Sequence, residues 1–510
     1  MAVNAADIKS VVQISPVDSF AGKVELTEEE RELALALQNY VPGSEAEKKL
    51  VRKVDLIMIP TVWCMYILAV LDRSNIGNAR IAGMATELEL NDNRYALALS
   101  IFFIGYLICE TPSNLLLTRA RPSWYLSSIM VVWGALCACM AALKTYHGLL
   151  ALRFFLGCIE AGFFPGVLFI MSCWYKKEEI GKRFSIFYTA SVFAGSLGGI
   201  MAGAIIGHLN GTHGIAGWRW LFIIEGIITI GFAILAKFIL LDFPGNSTRL
   251  SLEERQLAVV RILHDKQTTS ARHGIRLTFW QALKASLADS RTYIMTLLAI
   301  LNLGSTTIVY FIPTIVKAVG YTSTTAQWMT VPIYMTAAAM LIILSYTADR
   351  THDRRWHITG CFVLSFVCSI VCIASSSPQA RYVMLCFFIG GLYVALPLIL
   401  TWITEIISLP AEKRAASMAI ANSVGNLASV YGSRLWPSST GPRYVMGFTV
   451  VSVFLGLGAV LAATIPVIVR YLPAEGQTKA EQEILRREEV IVNTQPEFKN
   501  VTAMVQVHGE

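Results

Sequence analysis

The chain has 510 residues, 55% of them hydrophobic and only 15% charged, with a mean hydropathy of +0.55 and a formal net charge of +7. Soluble domains carry about 25% charged residues, so an ordinary soluble globule is excluded. The basic excess is spread over short loops rather than gathered into one patch, which removes nucleic acid as a partner.

Apolar runs near twenty residues recur along the chain, each long enough to cross a hydrocarbon core of about 30 Å. Residues 1–54 precede them as a polar tail without a basic and apolar leader, so no cleaved signal is expected. Six spans are predicted at Leu56–Asn75, Tyr95–Leu117, Trp124–Ala142, Leu149–Met171, Phe184–Gly207 and Trp220–Leu241, making a first half over 55–241. A charged segment, 242–291, opens on Pro244-Gly245-Asn246 and forms a central cytosolic loop. Six more spans follow at Tyr293–Val316, Trp328–Tyr346, Ile358–Ala374, Val383–Thr404, Ala415–Leu435 and Tyr444–Ile468, giving a second half over 292–469 and a polar tail over 470–510. The expected fold class is therefore an all-α membrane protein of twelve transmembrane helices in two six-helix halves.

With both tails in the cytosol, the inner loops carry eleven basic residues: Arg119, Arg121, Lys176, Lys177, Lys182, Arg183, Arg350, Arg354, Arg355, Lys413 and Arg414. The outer loops carry seven, Arg80, Arg94, Lys144, Lys317, Arg381, Arg434 and Arg443, and the bias supports that orientation. Of the sequons at Asn210, Asn246 and Asn500, only Asn210 then faces the side where glycosylation occurs.

All ten cysteines lie inside apolar runs, with no CxxC and no ligand-spaced His or carboxylate, so neither a disulfide framework nor a metal site is expected. No His pair or Ser-His-Asp set stands at a span end, which argues against an enzyme and calls for no cofactor. Six plus six spans about a central loop is the layout of a carrier whose halves rock around a midplane site.

Charges at bilayer depth are costly and survive by facing a cavity or a partner. The first span ends in Asp72-Arg73, which either faces the bundle interior or already lies among the headgroups. In the fourth span Arg153 and Glu160 stand seven residues apart on one helical face with Gly157 between them. An Arg there offers a fork to a carboxylate and a desolvated Glu exchanges a proton; alternatively the two neutralise each other, or pair with Asp72, in a structural role. Glu110 beside Pro112 and Glu225 near Arg219 are read as structural, the first capping freed backbone groups and the second pairing with Arg219. The second half offers neutral hydrogen-bonding groups instead: Asn302, Tyr310, Tyr393, Asn422 and Asn426.

These residues lie in motifs that resemble the fungal allantoate permease group, within the anion:cation symporters of the major facilitator superfamily. The resemblance is carried by LDRSNIGNAR, FFIGYLICETPSNLLL, RFFLGCIEAGFFPG, WYKKEEIGKR, GWRWLFIIEG, YFIPTIV and ADRTHDRRW. It implies uptake of a small organic anion such as a carboxylate or vitamin together with protons. It assigns Asp72 and Glu160 to proton carriage, Arg73 to the substrate carboxylate, Arg153 to positioning and charge balance, and Asn422 to the substrate site. Asn302, Tyr310 and Tyr393 are added as substrate-binding candidates on chemistry alone. The loop after the second span reads LLLTRARPSWY and lacks the Asp of the superfamily's G-x-x-x-D-R/K-x-G-R signature, which survives only as Asp349-Arg350 in the second half. Gating is therefore assigned to Asp349, Arg350 and, in the first half, Glu110. The expected partners are an organic anion, protons and lipid, with the chain acting as a monomer in the plasma membrane. Proton-driven export of a metabolite, or a nutrient sensor built on a transporter fold, are the competing readings.

Overall fold

The structure, a computed structural model, describes residues 40–117, 120–273, 277–407 and 411–472, together with 478, 479 and 482. Arg119, the Asn500 sequon and most of both expected tails lie outside the described residues.

The described residues are helical, with no strand among them. Among the described residues, ten stretches are long and apolar enough to cross a membrane. The first half comprises α1 (Glu45–Glu87), α2 (Asp92–Leu117), α3 (Pro122–Met140), α4 (Tyr146–Trp174), α5 (Lys177–Leu209) and α6 (Gly217–Ile239). Two connecting helices, α7 (Leu252–His273) and α8 (Phe279–Ala288), fill the central segment. The second half comprises α9 (Ser290–Ala318), α10 (Thr324–Thr351), α11 (Arg354–Ala374), α12 (Pro378–Ile406), α13 (Ala411–Asn426) and α14 (Val445–Tyr471). A short helix, Ala428–Gly432, carries α13 onward.

The first helix starts eleven residues before the expected span because Ser44 caps it, its hydroxyl accepting from the Glu47 amide at 3.3 Å. It also runs past Asn75. A π-helical turn, Arg80–Met84, follows Ala79, and Gly83 takes φ 112°, a conformation open to glycine. Asp72 consequently lies inside the bundle with no exposed surface, so the headgroup alternative for this residue is overturned.

Packing repeats between the halves. The pairs α1·α5, α1·α6, α2·α4 and α3·α6 recur as α9·α13, α9·α14, α10·α12 and α11·α14, a parallel repeat of six helices. Charge pins the same two helix starts in each half. Glu47 at the head of α1 meets Lys176 before α5 at 2.5 Å, and Asp289 before α9 meets Lys413 near the head of α13 at 2.7 Å. Burial pushes the Asp289 carboxyl up, but hydrogen bonds from Arg291 and Lys413 outweigh it and hold the group below the usual carboxylate range.

The end of the bundle bearing Glu45 and Tyr471 is called the tail end here, and the opposite end is distal. The halves meet closely at the distal end. Tyr95 donates to the Tyr310 carbonyl at 3.0 Å, Ser100 to the Val430 carbonyl at 2.9 Å, Gln327 to the Asn78 carbonyl at 3.1 Å, and Ser438 to Asp92 at 2.7 Å. Small residues permit this approach: a Cβ on Gly77 would stand 2.7 Å from the Tyr310 carbonyl oxygen.

Within the first half, Gly157 lets α4 lie against α2, since a Cβ there would run into the Phe102 carbonyl oxygen. Gly157→Ala should therefore lower the melting temperature of the purified protein, at an overpacking cost of about 1–3 kcal/mol. Gly360→Ala, where nothing lies within 4 Å, should leave it unchanged; equal behaviour of the two variants in a thermal-shift assay would refute the packing argument.

Candidate substrate and proton site

Three helices bring the intramembrane charges of the first half together. Asp72 and Arg73 come from α1, Arg153 and Glu160 from α4, and Glu225 from α6. Asp72, Arg153, Glu160 and Glu225 are essentially without exposed surface, whereas the Arg73 side chain keeps 18%.

The contact within this group is Arg73 with Glu160. Arg73 Nε donates to Glu160 Oε1 at 2.5 Å, and the guanidinium lies over the rings of Tyr106 at 5.0 Å and Phe102 at 5.6 Å. The second oxygen of Glu160 and Nη2 of Arg73 have no hydrogen-bond partner. The seven-residue spacing does place Arg153 and Glu160 on the buried face of α4, but they do not neutralise each other by contact. Arg153 Nε and Nη2 are buried without an acceptor, because Glu160 is taken by the cation from α1.

Tyr310 lies within electrostatic reach of Arg73, Arg153 and Glu160. Its ring meets Phe103 at 6.0 Å, and it belongs to a set of tyrosines from both halves. Tyr393 meets Tyr334 edge-on at 6.2 Å and is influenced by Tyr66, Tyr188 and Tyr310. Asn302 is fully buried, its amide 3.5 Å from the Leu392 carbonyl and its own Oδ1 unpartnered. Of these second-half residues, Tyr310 is the one that reaches the charged group. Asn422 is half-buried on α13; its neighbour Ser423 donates to Glu110 at 3.3 Å.

Glu110 thus reaches across from α2 to α13, a role beyond capping its own helix. Asp349 pairs with Arg354 at 3.2 Å, and Arg354 also with Glu405 at 2.5 Å, all within the second half, while Arg350 is exposed. Asn210 is exposed, its Oδ1 accepting from the Gly217 amide at 2.9 Å.

Glu225 departs from expectation. Arg219 turns instead to Glu87 at 2.5 Å and to the Ala141 and Leu143 carbonyls, because it lies at the distal rim while Glu225 is nearly two turns deeper. Glu225 accepts from the Asn75 amide and stands beside Cys137 at 4.0 Å. Asn75 and Cys137 were not legible as site residues; the signal for Glu225 was its isolation in an otherwise apolar run, IIEGII.

A family model, the Major Facilitator Superfamily, matches residues 62–433. The chain belongs to that superfamily. It is 34% identical over 449 residues to the MFS-type transporter cnsO of Penicillium expansum, covering 86% of each chain. A protein of Agrobacterium vitis provisionally named a tartrate transporter is 30% identical over 433 residues, covering 83% of this chain and 97% of its own. Among solved structures, a bacterial homologue of the human lysosomal transporter Spinster, inward-facing and unoccupied, superposes with a TM-score of 0.65 at 16% identity, over 85% of this chain and 100% of that one. A D-xylose-proton symporter gives 0.60 at 14%, over 82% and 97%. These structures establish the fold. The chain is a multi-pass membrane transporter of this superfamily and not an enzyme.

Removing one partner of a buried ion pair costs about 3–5 kcal/mol, because the other charge is left uncompensated. Arg73→Met should accordingly destabilise the purified transporter strongly, and adding Glu160→Gln should restore most of the loss. A double variant no more stable than Arg73→Met would show that the two residues do not act as a pair.

Proposed function

We propose that this transporter carries a small organic anion together with protons by alternating access, as a member of the allantoate permease group. The Arg73–Glu160 contact supports this reading most directly. A guanidinium already bound to a carboxylate is the group that a substrate carboxylate would seek, so substrate and Glu160 compete for Arg73. Protonation of Glu160 removes the competitor and frees Arg73. Deprotonation returns the competitor and expels the anion. Binding is thereby coupled to a proton at one residue, without any long-range relay.

Arg153 supplies the remaining positive charge, and Tyr310, Tyr393, Asn302 and Asn422 supply hydrogen bonds to the rest of the molecule. Asp72 is the second proton-carrying residue. The name borne by the Agrobacterium vitis relative, with its hydroxylated dicarboxylate, agrees with an anionic substrate. The cross-half contacts at the distal end describe a carrier shut on that side. With the tails cytosolic and the protein in the plasma membrane as a monomer, this is the inward-facing state; Asp349 and Arg350 belong to the gate that must close in the opposite state, and Glu110, whose contact with Ser423 already joins the halves, is the gating residue of the first half.

The test is external pH recorded from cells lacking their own organic-acid uptake, which express the chain and receive carboxylates one at a time. One acid should alkalinise the medium, and both Glu160→Gln and Arg73→Ala should abolish the signal. Surface-expressed protein that alkalinises with no acid would reject symport.

A further inference from the structure

Glu225 is the interior carboxylate to which the cycle above gives no task. Asp72 on α1, Cys137 on α3 and Glu225 on α6 bring one polar atom each to within 4.8 Å of one another, all three fully buried. Neither oxygen of Asp72 has a donor in good hydrogen-bond geometry, although Trp133 and Cys137 lie beside it. The donors around this cluster are equally unused: Trp133 Nε1 of α3, and Arg153 Nε and Nη2 of α4, have no acceptor. Trp133 and Cys137 flank Asp72, Glu160 acts on it through space, and Arg153 does the same to Glu225 and Cys137.

Two carboxylates this close in a water-poor interior do not both ionise, and they titrate as a pair. Charge arithmetic agrees. Asp72, Glu160 and Glu225 oppose Arg73 and Arg153 in one buried region, three potential negative charges against two positive. One proton brings the sum to zero. Arg73 is occupied by Glu160, so that proton belongs with Asp72 and Glu225, where Arg153 balances the single charge left.

Hydrogen bonding decides which of the two is ionised. Asn78 Nδ2 donates to Asn75 Oδ1 at 2.7 Å, which turns the Asn75 amide so that its own Nδ2 donates to Glu225. An N–H donor favours the charged carboxylate. We propose that Asp72 and Glu225 share one proton, held on Asp72 while Asn75 keeps the charge on Glu225, so that Glu225 is a proton-coupling residue and Asn75 its positioning residue. This inference rests on the proton-coupled reading. A divalent cation fits the same three atoms less well, because Arg153 already supplies positive charge within electrostatic reach of Glu225 and Cys137.

The chain of contacts reaches the other half. Gln327 of α10 donates to the backbone carbonyl of Asn78 at 3.1 Å across the distal seam. Parting of the halves at that end breaks this bond and loosens Asn78, and with it the aim of Asn75 at Glu225. Loss of that donor raises the proton affinity of the pair, so distal opening favours loading and distal closure favours release.

The pair can be observed without a substrate. Purified full-length protein in lipid nanodiscs is titrated with acid and base while infrared difference spectra record protonated carboxyl groups. One carbonyl band should persist at neutral pH; Asp72→Asn should remove it, Glu225→Gln should remove or shift it, and Glu160→Gln, which takes away one of the three opposing acids, should move its midpoint downward. Asn75→Ala keeps both acids and should move the midpoint of that band upward by about one pH unit or more, as expected for losing a hydrogen bond to a charged group. Separate bands lost in Asp72→Asn and Glu225→Gln, or a band that Glu225→Gln leaves untouched, would overturn the shared proton. Should Glu225→Gln fail to fold, an unchanged midpoint in Asn75→Ala overturns it. A transporter that takes up no carboxylate would sink the functional reading and leave these spectra as they are.

Discussion

An ionised group inside a bilayer-spanning bundle needs counter-charge within electrostatic reach, because desolvation costs several kcal/mol per ion and little water is at hand to screen it. That constraint shapes the first half of this transporter. The helices α1, α4 and α6 each carry charge to the same depth, and the glycines that let neighbouring helices close in, such as Gly157 against Phe102, make the contact distances possible. Arg73 meets Glu160 because α4 can approach the α1 side of the bundle that closely. Arg153, displaced from the pairing its sequence position suggested, is left to balance the acids on α1 and α6.

The second half solves the problem differently, by carrying no interior charge to balance among the residues that face the site. Its helix packing repeats the main pairs of the first half, so the difference at the site lies chiefly in side chains. Tyr310 lies within electrostatic reach of the charged region, and the halves otherwise meet through interhelical hydrogen bonds, which are weak, about 0.6 kcal/mol on average in membranes. Weak contacts suit a surface that must detach from and rejoin its partner in each cycle. The strong electrostatic contacts, by contrast, join helices of one half to each other: Arg73 with Glu160, Arg80 with Asp92, Asp289 with Lys413.

Much of this was legible in the sequence, for identifiable reasons. Span positions follow from the length of apolar runs, which the bilayer thickness fixes: each expected span falls largely on helix, and ten of the twelve are, among the described residues, long and apolar enough by themselves to cross a membrane. Asp72, Arg73, Arg153 and Glu160 stood out because charge within an apolar run is costly enough to need a purpose. Pairing was not legible. Helical periodicity orders residues along one face but says nothing of which neighbouring face arrives there, so Arg153 with Glu160 was a natural reading, and Arg73 with Glu160 required the packing. The same limit sent Glu225 to Arg219, its neighbour in sequence, when its partner Asn75 comes from a helix 150 residues earlier. Helix ends were misplaced where capping, not hydropathy, sets them, as at Ser44.

The charge balance of the interior also bears on what the proposed cycle can carry. With one proton shared between Asp72 and Glu225, the five interior groups sum to zero in the unloaded state. A monocarboxylate entering alone would leave a net negative charge in a site that must be sealed from water on both sides during the conformational change. The proton that frees Arg73 from Glu160 cancels that charge at the same stroke, so the step that opens the binding group is also the step that permits the loaded carrier to cross. A dianion would need a further positive charge or a second proton, and the shared pair is the place where one can be taken up, by ending the ionisation of Glu225. Coupling in this scheme follows from electroneutrality in a low-dielectric interior, and the seam contact through Asn78 and Asn75 sets on which side of the membrane that second proton is accepted.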